Sequence, residues 1–288
     1  MHSSRPTRRQ FLRAAAGVGA AAVVGLGGYA ALAEPYEITV ERVPLLTPRL
    51  PEAFHGLKVA QLSDLHFGPY TGEREIRNAV ERCNALEPDL AVITGDFITA
   101  ALWGRPVKQF QNADHCSRLL SGIRAPLGIF ACFGNHDVSV DPWALTQIIR
   151  AHRIQIVRNN AAAIERDGAR LWVAGVDDVL YAHADLDHTL AGIPRNEFTI
   201  LLAHEPDFAD HAKAYPVDLQ LSGHSHGGQI RAPFVGALYY PPLSRRYPRG
   251  LYRVGNLHLY TNRGIGTIVV PMRFNVPPEV TLLTLFSH

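Results

Sequence analysis

Five short segments of this 288-residue chain supply histidine, aspartate and asparagine side chains in spacings that suit a metal site. The segments are Asp64-Leu65-His66, Gly95-Asp96, Gly134-Asn135-His136-Asp137, Ala203-His204-Glu205 and Gly223-His224-Ser225-His226. Imidazole nitrogen together with carboxylate and amide oxygen suits divalent Mn, Fe or Zn, and these segments offer no thiolate for a softer metal. Magnesium alone usually prefers oxygen ligands, so four histidine ligands would be an unusual choice for it.

Each segment alone is weak evidence, because a lone histidine is more often structural and a lone Gly-Asp pair is more often a turn. Together they are stronger, since they hold five of the fourteen histidines and each follows a predicted β-strand. A chance arrangement explains this order poorly.

The elements that must position these segments are short apolar runs that alternate with helical patterns. Helical spacing predicts helices from Ile76 to Leu86, over 107–121 and from Pro142 onward. Strands are predicted at 57–63, 90–94, 127–133, 154–157, 171–176, 198–203, 217–222, 228–232, 250–254, 257–261 and 280–286. This order predicts a mixed α/β fold, a two-sheet β-sandwich flanked by helices.

The strand ends explain how the segments can meet. The carboxyl ends of strands in an α/β sheet present side chains to a shared crevice. In extended chain alternate residues point the same way, so we expect Asp64 and His66 to face one ion, and likewise His224 and His226. Glycine before Asp96, Asn135 and His224 lets the backbone crowd the site.

The ordered set of motifs over roughly residues 57–230 resembles the calcineurin-like metallophosphoesterases. The resemblance implies two metal ions: one held by Asp64, His66, Asp96 and His226, the other by Asp96, Asn135, His204 and His224, with Asp96 bridging. Two divalent ions about 3.5–4 Å apart can share a bridging water, lower its pKa towards neutrality and so supply hydroxide for attack on phosphorus.

His136 follows a predicted ligand directly and is not needed as a ligand itself. We expect it to protonate the leaving oxygen or stabilise the transition state, with Asp137 as the partner that orients it. Glu205 has two interpretations, an acid behind the ligands or a helix-start carboxylate before Pro206. Asp177 is a weaker candidate.

The tail of the sequence resembles the membrane-associated bacterial branch of the same family. The matching runs are Gly223–Arg231, Pro233–Leu238, Asn262–Gly266 and Pro271–Phe274. Activities in that branch include phosphodiester cleavage and hydrolysis of UDP-2,3-diacylglucosamine in lipid A synthesis. Segment 234–250, with its aromatic residues and three arginines, is open to two interpretations: an acyl-chain or membrane contact, or a surface loop. Arg263 and Arg273 are candidate phosphate contacts.

The first 35 residues indicate export. Arg8-Arg9 followed by Phe11-Leu12 resembles a twin-arginine signal, the uncharged stretch 14–33 follows, and Ala31-Leu32-Ala33 permits cleavage. The alternative is a membrane anchor, since 20 residues suffice for a hydrocarbon core of about 30 Å. Both interpretations place everything after Glu34 outside the cytoplasm, carried there by the Tat machinery. We therefore expect a signal or anchor at 1–35, a lead-in at 36–56 and an extracytoplasmic enzyme domain at 57–288.

Composition limits the partners. The formal charge of +2 includes four arginines in residues 1–33, and without them 24 basic residues face 26 acidic ones. A body of this charge does not favour a nucleic-acid partner, and so disfavours a nuclease. The three cysteines are widely spaced and predict neither a disulfide framework nor a zinc ribbon.

The sequence therefore predicts a metal-dependent hydrolase of phosphodiester or pyrophosphate bonds in a phosphorylated small molecule or a lipid-linked substrate of the cell envelope. A phosphomonoesterase is the alternative, because the same two-metal centre serves both reactions. A metal-binding scaffold without activity would be expected to have lost ligands, and none is lost here. One conflict remains: UDP-2,3-diacylglucosamine is a cytoplasmic substrate, whereas the signal places the domain outside.

Overall fold

The computed structural model describes residues 7–100 and 106–287. Arg5, one of the basic residues of the predicted signal, lies outside the described residues. Fourteen strands are assigned within those ranges: β1 (Thr39–Leu46), β2 (Leu57–Leu62), β3 (Leu90–Thr94), β4 (Ile129–Cys132), β5 (Ile154–Ile156), β6 (Asn160–Arg166), β7 (Ala169–Gly175), β8 (Phe198–Leu202), β9 (Leu219–Ser222), β10 (Arg231–Ala232), β11 (Gly236–Ala237), β12 (Gly250–Val254), β13 (Leu257–Thr261) and β14 (Glu279–Phe286).

Seven α-helices are assigned over the same described ranges: α1 (Arg8–Leu32), α2 (Glu73–Asn84), α3 (Pro106–Leu120), α4 (Asn135–Val138), α5 (Pro142–Ala151), α6 (Leu186–Leu190) and α7 (Ala209–Ala212). Helix α5 begins as its sequence predicts, because the Asp141 carboxylate accepts hydrogen bonds from the first free N–H groups and Pro142 occupies the first helical position.

Two six-stranded sheets form the body of the molecule. The first has the order β1-β14-β2-β3-β4-β5, and the second has the order β12-β13-β9-β8-β7-β6. Strands β2 to β5 are parallel neighbours, as are β7, β8 and β9. The parallel strands of each sheet therefore bring their carboxyl ends to one edge.

Three apolar layers pack against these sheets, one between them and one on each outer face. Side chains such as Val59 and Phe130 from the first sheet pack against Val173, Ile200 and Leu221 from the second. The outer face of the first sheet is covered by α2, α3 and α5, and the outer face of the second by α6 and α7. This is the predicted two-sheet sandwich flanked by helices, and the expectation is confirmed.

The structure differs from the predicted elements at β1, which lies in the segment expected to be a lead-in. Residues Thr39–Leu46 pair in parallel with β14 and form an edge strand of the first sheet. Pro44 is tolerated there because an edge strand has one row of backbone groups without strand partners. The sandwich thus includes residues before position 57, and the expected boundary at 57 is too late.

A second difference concerns the strand predicted at 228–232. Gly227, Gly228 and Gln229 have φ angles of 59°, 88° and 49°, which are incompatible with a strand. Within 228–232 only Arg231–Ala232 is assigned to a strand, and it pairs with Gly236–Ala237 in a short hairpin, while Ile230 forms an isolated bridge to Phe274. The Gly255-Asn256 turn, in contrast, joins β12 and β13 as predicted.

Candidate metal centre

All five motif segments lie at the carboxyl ends of parallel strands. Those of the first sheet follow β2, β3 and β4, and those of the second follow β8 and β9. The two sheets face each other, so these ends converge on one point. Six of the seven predicted ligands are buried there, and the seventh, Asn135, is partly exposed.

One group of side chains gathers Asp64, His66 and His226, whose ligand atoms all lie within 4.8 Å of one another. His226 Nε2 lies 3.3 Å from Asp64 Oδ1, and the Nε2 atoms of His66 and His226 are 3.0 Å apart. A carboxylate oxygen and two imidazole nitrogens at this spacing suit one divalent cation.

A second group gathers Asp96, His204 and His224 within the same distance. His204 Nε2 lies 3.3 Å from Asp96 Oδ2, and that same oxygen is 3.5 Å from His66 Nε2 of the first group. The Asp96 carboxylate therefore lies between the two groups and is within reach of both.

Backbone groups orient these side chains. His204 Nδ1 donates to Thr94 O at 2.6 Å, and His224 Nε2 donates to Pro242 O at 2.9 Å. With one ring nitrogen engaged, the other nitrogen of each ring is left as a ligand atom. Such outer contacts set the tautomer and the direction of a metal-binding histidine.

Two buried ligand atoms have no hydrogen-bond partner among the described residues, Asn135 Oδ1 and His204 Nε2. Buried polar atoms nearly always have a hydrogen-bond partner, so two atoms without one at the same point indicate that a ligand binds there. Amide oxygen and imidazole nitrogen are both electron-pair donors, which a cation would satisfy. The residues present therefore fit a metal centre.

The backbone of the ligand segments differs from expectation. Asp64 and His66 have φ angles of 47° and 45°, and His224 and His226 have 65° and 50°. These left-handed conformations are not extended chain, so alternation along a strand does not explain why each pair converges. The chain instead turns sharply at each ligand after the strand has ended.

Burial lowers the pKa of two ligand histidines, whereas at His204 the Asp96 and Asp64 carboxylates outweigh burial and raise the pKa well above its usual range. Burial lowers the pKa of His224 to about 4, and it lowers the pKa of His66 well below the usual range. Burial would raise the pKa of Asp64, but the neighbouring His226 and His204 charges outweigh it and hold that pKa below its ordinary value. Neutral imidazole and ionised carboxylate are the forms that coordinate cations.

His136 lines the same cleft but belongs to neither of these two groups. Its Nδ1 accepts a hydrogen bond from Ala100 N at 3.0 Å, and its ring lies edge-on to His66 at 4.8 Å between centroids. It also forms a third group with His66 and Asp96. Because Nδ1 is an acceptor, the neutral ring carries its proton on Nε2.

Asp137 does not orient His136. Its carboxylate is fully buried and accepts hydrogen bonds from three backbone N–H groups, those of Asp96 (2.8 Å), Phe97 (2.9 Å) and Gly134 (3.1 Å). Burial and the Asp96 charge raise the pKa of Asp137 to about 8. Asp137 thus ties the Asp96 loop to the Gly134 loop, a positioning role that only the folded chain reveals.

Glu205 and Asp177, the weaker candidates, also make contacts other than those expected. Glu205 is buried, its pKa raised by burial and by a hydrogen bond with Asp178, and it makes no cap to the short helix at Pro206–Phe208. Asp177 pairs with Arg158.

Neither arginine proposed as a phosphate contact reaches the cleft. Arg263 binds Glu41 and Glu279. The buried Arg273 guanidinium donates to the backbone carbonyls of residues 263, 264, 266 and 276.

A cleft of about 400 Å³ opens above the metal-binding groups. Its polar floor contains His66, Asp96, Asn135 and His136, and its wall is apolar: Ile230, Leu238, Tyr239, Pro241, Ile268, Val269 and Val270. The 238–241 part of this wall belongs to segment 234–250, for which the sequence left two interpretations open, an acyl-chain or membrane contact and a surface loop. The 268–270 part was not predicted from the sequence. The signal for it was the uncharged run 264–272.

Comparison with known proteins agrees with this geometry. Residues 57–228 match the family model of the calcineurin-like phosphoesterases. The chain is a calcineurin-like phosphoesterase. Residues 5–25 match the model of the twin-arginine translocation signal, so this phosphoesterase carries an export signal as its sequence predicts. The enzyme is a hydrolase, and its family binds two metal ions.

Three curated relatives span nearly the whole phosphoesterase. The uncharacterized metallophosphoesterase YkuE of Bacillus subtilis is 36% identical over 98% of both chains. The phosphodiesterase YaeI of Escherichia coli is 30% identical over 97% of this chain and 99% of its own. The UDP-2,3-diacylglucosamine pyrophosphatase LpxG of Chlamydia trachomatis is 29% identical over 84% of this chain and 88% of its own.

Proposed function

We propose that this phosphoesterase hydrolyses a phosphodiester or pyrophosphate bond in a lipid-linked substrate of the cell envelope. The observation that carries the proposal is the cleft, in which two histidine–aspartate groups joined by Asp96 form the floor and apolar side chains form the wall. A floor of this kind suits the phosphate, and an apolar wall suits the lipid portion.

We assign one cation to Asp64, His66, Asp96 and His226, and the second to Asp96, Asn135, His204 and His224. The grouping of these side chains and the unpaired Asn135 and His204 atoms support the assignment. Bound divalent ions supply charge stabilisation at phosphorus and a nucleophile that is available near neutral pH. Mn, Fe and Zn suit this nitrogen-rich ligand set.

His136 is assigned to the leaving group. Its Nε2 carries the proton because Nδ1 accepts from Ala100 N, and the ring faces the cleft beside Asp96. A proton on that atom can be donated to the leaving oxygen as the ester bond breaks.

The relatives suggest the type of bond. YaeI is a phosphodiesterase and LpxG acts on UDP-2,3-diacylglucosamine, so both bonds proposed here occur in relatives of full or nearly full length. The export signal favours a lipid-linked substrate outside the cytoplasm, and UDP-2,3-diacylglucosamine serves as the test compound for the pyrophosphate reaction.

The test is hydrolysis by the full chain reconstituted in turn with Mn, Fe and Zn. Bis-p-nitrophenyl phosphate, p-nitrophenyl phosphate and UDP-2,3-diacylglucosamine are the substrates. We expect diester or pyrophosphate turnover, and we expect Asp96→Asn to reduce it by more than about 100-fold because both cations lose a ligand. The matched control is Asp167→Asn, an exposed turn residue, which should keep full activity.

Activity that survives Asp96→Asn would contradict the two-metal assignment. Turnover of the monoester alone would establish the alternative, a phosphomonoesterase.

A further inference from the structure

The end of α1 is fastened to the enzyme domain. Arg273 N donates to Ala30 O at 2.9 Å, and the buried Glu34 carboxylate accepts hydrogen bonds from Asn275 N at 2.9 Å and Val276 N at 2.5 Å. The cleavage motif Ala31-Leu32-Ala33 thus lies between two buried, docked residues. Leu32 itself is exposed, but both ends of the motif are fixed to the domain, and a protease that must draw the segment into an extended conformation would have to break these contacts.

The position of α1 sets the level of a membrane relative to the domain. By length and composition alone α1 can cross a membrane, although a signal sequence passes the same test. Ala30 lies three residues before the end of the uncharged stretch, roughly 4–5 Å along the helix axis. Tyr29 and Tyr36 are partly exposed at this same end, as side chains at a membrane interface often are. If α1 crosses a membrane, segment 268–276, which contacts Ala30, lies at the level of the outer interface.

Two apolar loops meet at this level. Segment 268–272 is one, and the hairpin of β10 and β11 is the other. Arg231 N donates to Phe274 O at 2.9 Å and Phe274 N donates to Gln229 O at 3.0 Å, so the hairpin is bonded to the strip that touches α1. Together they form what we call the apolar rim, made of Phe234, Val235, Leu238, Tyr239, Val269 and Val270.

The apolar rim is exposed. Phe234 is fully exposed, Val235 is 76% exposed and Val269 is 80% exposed. Segment 264–272 contains no charged residue, and Arg231 in the hairpin is hydrogen-bonded to Gly227 O and to the Tyr240 hydroxyl. Single exposed apolar residues are ordinary, but a contiguous group of them marks a contact surface.

We propose that the apolar rim inserts shallowly into the outer face of the bilayer that a retained α1 crosses. Leu238, Tyr239, Val269 and Val270 belong both to the rim and to the wall of the cleft, so the cleft opens at the lipid surface. Docking itself does not depend on the substrate. The consequence that a lipid-linked phosphate enters directly from the bilayer rests on the proposed function.

Docking is tested on the full chain in phosphatidylcholine–phosphatidylglycerol vesicles. Phe234→Cys and Val269→Cys are labelled with an environment-sensitive nitrobenzoxadiazole probe and exposed to doxyl-labelled lipids. Cys83, Cys116 and Cys132 are buried, so an introduced surface thiol is labelled selectively. The control is Arg166→Cys, which lies at the end of the second sheet opposite to the cleft.

We expect blue-shifted emission and quenching by shallow doxyl groups at positions 234 and 269 but not at 166. Equal solvent exposure at all three positions overturns the proposal. Loss of α1 from the membrane-bound protein, seen as a mass corresponding to cleavage after Ala33, overturns it as well.

The consequence for catalysis is tested with the double variant Phe234→Ser/Val235→Ser, since neither residue lines the cleft. We expect turnover of a phosphodiester lipid embedded in vesicles to fall about tenfold, because shallow apolar contacts supply the surface attachment. Hydrolysis of soluble bis-p-nitrophenyl phosphate should be unchanged. An equal loss on both substrates, or no loss on either, contradicts direct entry from the bilayer, whereas failure of the proposed function appears as no turnover by the unmodified chain.

Discussion

At the scale of single residues, the centre depends on backbone conformations that residues other than glycine rarely adopt. Five of the seven proposed ligands have positive φ: Asp64, His66, Asp96, His224 and His226. Such a conformation costs on the order of 1–3 kcal/mol at each residue and persists only where surrounding contacts impose it. Here the contacts include His66 N to Asp96 O and His224 N to the Asp64 carboxylate, each at 3.0 Å. Hydrogen bonds between the ligand segments therefore maintain these strained backbone conformations.

His136 tests the chemistry at this scale. We expect His136→Gln to lower kcat by about 10²- to 10⁴-fold, because proton donation to the leaving oxygen is lost. Bound metal, measured by elemental analysis, should be unchanged, since His136 is not assigned as a ligand. His183→Gln, at an exposed position, is the matched control and should leave kcat unaltered. Loss of one metal equivalent from His136→Gln would instead make His136 a ligand.

At the scale of elements, the site exists because parallel strands of two sheets end at the same edge. Loops after β2, β3 and β4 meet loops after β8 and β9 across the sandwich. Glycine permits the contact: a Cβ at Gly134 would lie 2.4 Å from Asp96 Oδ1, and a Cβ at Gly223 would lie 2.2 Å from Asp64 Oδ2. The predicted need for glycine before these ligands is confirmed by these distances.

Gly223→Ala tests the contact between the sheets. The added methyl group would also lie 1.9 Å from Ser63 Oγ, so β9 and the loop after β2 must separate. We expect a loss of about 1–3 kcal/mol in the free energy of unfolding and weaker metal binding. Thermal unfolding and metal titration measure these two effects. Gly192→Ala, where a Cβ meets nothing within 4 Å, should change neither, and a wild-type melting curve for Gly223→Ala would refute the crowding argument.

At the scale of the whole molecule, an export signal, a long apolar helix and a cleft with an apolar wall belong to one chain. The signal directs the domain across the membrane, and the end of α1 is bonded to the loop that forms part of the cleft wall. Under the proposed docking, residues 268–276 connect the location of the enzyme with the access to its site.

Export is tested by replacing the paired arginines. Arg8→Lys/Arg9→Lys preserves the charge but removes the pair that the translocation machinery reads, so the protein should accumulate in the cytoplasm. Cell fractionation followed by immunoblotting measures the distribution. Arg13→Lys, outside the pair, is the control and should be exported normally. Full export of the double variant would show that another route carries this chain.

The sequence by itself predicted most of the strands, the candidate ligands and the family, because these depend on local periodicity and on residue types at short spacing. It predicted the two-sheet sandwich as well, since alternating strands and helices allow few architectures. Only the tertiary structure decided which groups touch across long separations. Asp137 binds the Asp96 loop rather than His136, and Glu34 binds Asn275, 241 residues away. Left-handed turns at the ligands could not be predicted locally either, because a strained turn is stable only when distant segments are hydrogen-bonded to it. The sequence left segment 234–250 open as a membrane contact or a surface loop, and it did not predict that Val269 and Val270 would join it, because exposure is a property of the packed chain.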